Sequence, residues 1–304
     1  MQFVHSTFGL GMFLVPLAVG AELRSNGGFH GTVWALCVAI CVLAVLPLLA
    51  QSPQDVQKPA SKAAAERTPA AQSLESVRQW RERVTLSACF SFSFMASLME
   101  LSIGTWIPAY ATVLGLMTET GAASLGSAFW GSFTLGRLSG IPLSQRFSNA
   151  QMIWLDLLLL LLSMGTIVWT DGGASLEVLI ACVCCYAFAI GTLMASLFGL
   201  LADARVHLSA QRSSGFPVFG LCGDMVGQAA MSFVFIELGP AAMMQIALGV
   251  IGLCVLLFAA IVFVVLPWLA KALPPSAASA AGSLTAEDHN SSEGRIEGGN
   301  SRRP

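Results

Sequence analysis

The stretch ELSIGTWIPAY, from Glu100 to Tyr110, puts a carboxylate, an indole and a phenol close together. Such a set suits a sugar. Polar atoms take the hydroxyls, and aromatic faces take the CH surface of the ring. Trp106 and Tyr110 are four residues apart and share a helix face, as do Glu100 and Gly104. Pro108 lies between the two aromatics and removes a backbone donor, so the helix is expected to weaken there. Trp106 and Tyr110 also fit an interfacial aromatic belt. Both readings stay open at this point.

A second constellation lies in GFPVFGLCGDMVGQ, residues 215–228. Asp224 and Gln228 share a face, and Gly220, Gly223 and Gly227 allow a neighbouring helix to come close. Asp224 is either part of the same binding site or a buried interhelical hydrogen-bond partner. Arg137 follows Gly136 in GRLSG, deep enough to need a partner yet able to snorkel to the inner surface. It is assigned to an inner gate with Asp203, which stands at the inner boundary where solvent, Arg137 or Arg205 could satisfy it. His5 reads as a packing or pore-lining residue. Cys182, Cys184 and Cys185 point to different helix faces and read as packing residues rather than a metal cluster. The chain shows no Ser–His–Asp arrangement, H-E-x-x-H motif or paired metal-ligand motif, so an enzyme is not supported and no metal is expected.

These residues need a membrane bundle to position them. Hydrophobic residues make up 55% of the chain and charged residues 11%, against roughly 25% charged in soluble domains. No basic patch or phosphate-cradling loop points to nucleic acid; the partners expected are the lipid bilayer and a small-molecule solute. Glu100 is the lone charge between Arg83 and Glu119. A carboxylate so placed costs about 3 kcal/mol or more unless it faces a bundle interior or a wet cavity, which makes it a candidate functional group.

Eight spans are expected, near residues 2–21, 31–50, 84–114, 122–143, 152–170, 177–201, 215–237 and 241–269. They lack the alternation of barrel strands, so the fold class is an all-α polytopic bundle. Arg137 lies toward the end of span four, and every other Lys and Arg except Arg24 falls in the segments after spans two, four, six and eight. The positive-inside rule therefore puts those segments and both termini in the cytoplasm. The expected organisation is two spans over 1–50, a cytoplasmic linker over 51–83, six spans over 84–270 and a disordered cytoplasmic tail over 271–304. The linker's end, LESVRQWRERV, is expected to form a short charged helix at the membrane surface. All eight cysteines lie within spans, so no extracellular disulfide framework is implied.

The order of these motifs resembles one family. ELSIGTWIPAY is similar to the seventh span of major facilitator superfamily transporters, in the branch of the fucose permease and the sodium-dependent glucose transporter. FWGSFTLGRLSGIP resembles that branch's eighth span, SLFGLLAD its tenth, FGLCGDMVGQ its eleventh, and the opening HSTFGLGMFLVPL its fifth. The likeness covers residues 1–270 in order. It implies a major-facilitator-like bundle whose first four helices this chain is expected to lack. It also implies a plasma-membrane secondary transporter of a hexose-like sugar or similar polar solute, working by alternating access. Glu100, Trp106, Tyr110, Asp224 and Gln228 would bind substrate, and Arg137 and Asp203 would form the inner gate. No cofactor is implied beyond a coupling ion, sodium or a proton. The alternative expectation is a truncated, non-transporting membrane protein with a regulatory or partner-binding role.

Overall fold

A backbone in hydrocarbon has to satisfy its own hydrogen bonds, and these apolar runs do so as helices. A computed structural model describes residues 2–26, 31–35, 69–170, 175–206 and 208–271, with no strand among them. The long helices are α1 (Gln2–Asn26), α2 (Pro69–Val113), α3 (Glu119–Leu143), α4 (Asn149–Trp169), α5 (Leu176–Asp203), α6 (Ala210–Glu237) and α7 (Pro240–Ala260). A π-helical turn, Ile261–Val265, joins α7 to the short α8 (Leu266–Ala270). Most of the expected second span, the linker over 51–68 and the tail beyond 271 lie outside the described residues.

Among the described residues, five segments are long and apolar enough to cross a membrane: Glu75–Val113, Asn149–Trp169, Leu176–Asp203, Gln211–Glu237 and Pro240–Ala270. The first and fourth expected spans also form helices, α1 and α3, but neither is among those five. In α3 the reason is composition: the helix is rich in Gly, Ser and Thr, which suits close packing more than contact with lipid.

Helix starts are set by side-chain caps. Ser148 caps α4 in a full capping box with Gln151. Thr118, Ser175 and Ser209 accept from backbone N–H groups at the starts of α3, α5 and α6. These hydroxyls satisfy donors that the first turn leaves orphaned.

Two expectations about α2 change. The charged segment before residue 84 is not a separate surface helix but the first turns of α2 itself. No Gly or Pro interrupts residues 70–103, and Glu, Arg and Gln are good helix formers, so nothing stops the helix at the membrane boundary. At 1.5 Å per residue α2 runs about 68 Å, well beyond a hydrocarbon core of about 30 Å. Nor does Pro108 break it: α2 continues to Val113. The proline withholds only the bond to the Gly104 carbonyl. Its ring sits over Gly126 of α3, where even a Cβ would come within 3.3 Å of Pro108 Cγ.

Two close crossings organise the bundle. On α3 and α5, Gly136 faces the Phe188 carbonyl and Gly191 faces the Phe133 carbonyl, so close that a Cβ at either position would overlap backbone. On α6, Gly223 meets the Phe94 carbonyl of α2, and Gly227 meets Leu98 and Ser102. The glycine pattern read from the sequence thus becomes two helix contacts. α1 lies against α3, with Phe13 over Gly131. The core between the helices holds Phe92, Phe129, Phe133, Leu157, Tyr186 and Phe258.

Candidate functional site

The α3 sequence sets Arg137 beside the glycine that crosses α5, and α2 brings Glu100 up to it. Arg137 Nη2 lies 3.5 Å from Glu100 Oε1, with the two side chains only 11% and 13% exposed. The guanidinium carbon also sits 4.2 Å from the centre of the Phe133 ring. Each charge relieves the cost of burying the other, and the aromatic face adds a cation–π contact. The carboxylate that looked alone in its own helix is paired across a helix boundary.

On the α6 side, Trp106 Nε1 donates to Gln228 Oε1 at 3.1 Å. Gln228 Nε2 donates to the Leu101 carbonyl at 2.9 Å and to Thr105 Oγ1 at 3.0 Å. The Trp106 ring packs against Phe235, with centroids 5.1 Å apart. The network exists because Gly223 and Gly227 let α6 lie against α2. Asp224, one turn before Gln228, is partly buried and close enough for its charge to interact with that of Glu100.

The structure therefore joins Trp106 to Gln228 across α2 and α6 and Glu100 to Arg137 across α2 and α3, with Asp224 of α6 within charge range of Glu100. Tyr110 lies elsewhere on α2. It is 2% exposed and part of the core, so it belongs neither to an aromatic belt nor to an open surface. Arg137 and Asp203 do not meet as a pair in this arrangement. Arg137 faces Glu100, while Asp203 Oδ2 accepts from Asn149 Nδ2 at 2.8 Å where α4 begins and α5 ends. A recess of about 340 Å³ beside Asp203 is lined by Leu200, Arg205, Leu266 and Leu269. It is at that end of the bundle and does not include the Glu100 group.

Three polar groups were not singled out from the sequence. Asp156 of α4 is buried and accepts from Thr192 Oγ1 of α5. Glu82 is buried between Arg78, at 3.1 Å, and Arg212 of α6, at 2.9 Å. Thr105 lies exposed beside Trp106. Asp156 carries a usable signal, as a lone acid within an apolar run. Glu82 sits in a charged segment where nothing marks one acid as special, and a threonine in a helix carries no signal at all.

Chemically, a carboxylate that accepts and a guanidinium that donates can take hydroxyl groups as both donors and acceptors. The indole face can take a ring's CH surface. The family model of the Major Facilitator Superfamily matches residues 1–230. No curated protein matches the chain.

Proposed function

The chain belongs to the Major Facilitator Superfamily, and we propose that it carries a hexose-like sugar, or a similarly hydroxyl-rich small solute, across the bilayer by alternating access. Membership makes it an integral multi-pass membrane protein and a secondary transporter of a small solute. The observation that supports the finer reading is that α2 carries both halves of the site, Glu100 paired with Arg137 and Trp106 bonded to Gln228. Solute hydroxyls enter between the two charges and exchange part of the ion pair for hydrogen bonds to the ligand, while Trp106 lies against the ring. Asp224 adds a second carboxylate near Glu100. That suits either more hydroxyl contacts or a coupling cation, sodium or a proton. Arg137 leaves the Glu100 pair when the inner side closes, and with Asp203 it forms the inner gate. The membrane is the plasma membrane, with both termini in the cytoplasm.

The test is uptake of radiolabelled hexoses by cells producing the protein, with and without sodium. Glu100→Gln should cut uptake at least tenfold when uptake is counted per molecule at the cell surface. The companion Glu100→Gln/Arg137→Gln removes both charges, so no buried cation is left alone. Its surface expression should match the unaltered protein, and its uptake should stay low. Unaltered uptake by Glu100→Gln defeats the assignment of Glu100. Uptake restored in the double variant assigns the pair to folding instead.

A further inference from the structure

The Gln228 amide has two N–H donors and one carbonyl oxygen. Both donors are engaged within the chain, one to the Leu101 carbonyl and one to Thr105 Oγ1, and the oxygen accepts the Trp106 indole N–H. A ligand that recruited either donor would have to break a bond between α2 and α6. Both Gln228 donors are thus used in holding its neighbours.

Thr105 is in the opposite position. A threonine in a helix commonly donates its hydroxyl to the carbonyl four residues earlier. Thr85, Thr112, Thr134 and Thr166 all do so here, to Arg81, Pro108, Trp130 and Leu162 at 2.8 to 2.9 Å. The corresponding carbonyl for Thr105 is that of Leu101, and Gln228 Nε2 already occupies it. Gln228 also donates to Thr105 Oγ1, which fixes the hydroxyl as an acceptor on that side. Among the described residues the Thr105 O–H has no acceptor, and the residue is exposed next to the Trp106 indole.

We propose that Thr105 supplies the outward hydrogen bond of this site, donating to an acceptor oxygen of a polyhydroxy ligand, and that Gln228 is a positioning residue holding Thr105 and Trp106 in place. This rests on the reading that the α2–α6 face binds a sugar-like solute. It moves one contact from Gln228 to a residue with a free donor. It also makes selectivity depend on the ligand oxygen that meets Thr105.

The experiment measures binding of radiolabelled D-glucose and of its singly deoxygenated analogues to the purified full chain. It also records melting temperature and the part of the tryptophan emission that disappears in Trp106→Phe. Thr105→Val keeps the shape and loses the hydroxyl. It should weaken glucose binding about tenfold with an unchanged melting temperature, and should no longer distinguish glucose from one deoxy analogue. Thr105→Ser should restore both. Gln228→Leu should shift the Trp106 emission and lower the melting temperature.

Glucose binding by Thr105→Val equal to that of the unaltered chain overturns the contact. Lost binding in Gln228→Leu with unchanged Trp106 emission and melting temperature overturns the positioning role, because Gln228 would then touch the ligand directly. An unaltered chain that binds no glucose defeats the sugar reading, and the Thr105 contact with it. The emission and melting measurements still decide whether Gln228 holds Trp106.

Discussion

Arg137 and Glu100 hold each other at a depth where neither charge would be stable alone. The pair's net worth is small, because desolvation offsets most of the attraction, but removing one partner strands the other. Arg137→Met should therefore cost about 3 kcal/mol of stability. Arg137→Met combined with Glu100→Leu should cost much less than either single change. Thermal unfolding in detergent across the four proteins reads this directly, and additive losses would rule out the pairing. Half of this feature is legible in the sequence. Glu100 stands out as a lone charge in an apolar run, and Arg137 as a cation needing a partner. What joins them is the approach of α3 to α2, and no local pattern encodes which helices touch. Asp156 carries the same lone-acid signal as Glu100. It lies only about two turns from the Ser148 cap, where a charge looks cheap until burial by α5 is known.

Helix ends and crossings show what the chain encodes locally. Hydropathy locates helices 3 to 7 closely, since both the apolar runs and their Ser and Thr caps are written in consecutive residues. The start of α2 is not, because the charged residues that leave the bilayer are also good helix formers, so the helix outlasts the apolar run. The end of α2 is a turn built on Gly115, at φ 68°. There Gly115 N–H donates to the Thr112 carbonyl and Leu116 N–H to the Ala111 carbonyl, the paired pattern that ends helices with a left-handed residue. The end of α5 repeats it, with Arg205 N–H on Ala202, Val206 N–H on Leu201, and Arg205 itself at φ 54°. A Cβ at Gly115 would meet nothing within 4 Å, so replacing it tests backbone conformation alone. Gly115→Ala should destabilise by about 1 kcal/mol, the cost of a left-handed non-glycine residue. A melting temperature unchanged from the unaltered protein would show that this turn tolerates a side chain, as its counterpart at Arg205 does.

The whole bundle sorts its charges by end. Glu82 joins α2 to Arg212 of α6, and Arg81 Nη1 donates to the Trp268 carbonyl of α8. Asn149 and Asp203 meet where α4 starts and α5 stops. The turn after α3, with Arg146, lies at this same end, because α4 begins there. The helices arrive in alternating directions, so the turns at Gly115 and at Leu238–Gly239 lie at the opposite end. The basic residues that the sequence assigns to one side thus collect at one end of the described bundle. The proposal that this end faces the cytoplasm rests on that charge bias in short loops. Gln145 and Leu238 are both exposed, one in each set of turns. In intact cells a membrane-impermeant maleimide should label Leu238→Cys, and should label Gln145→Cys only after the membrane is opened. The unaltered protein, whose cysteines all lie in expected spans, serves as the background. The reverse pattern would invert the orientation. Labelling of both positions from outside would place the two turns on one side, which a bundle of alternating helices does not allow.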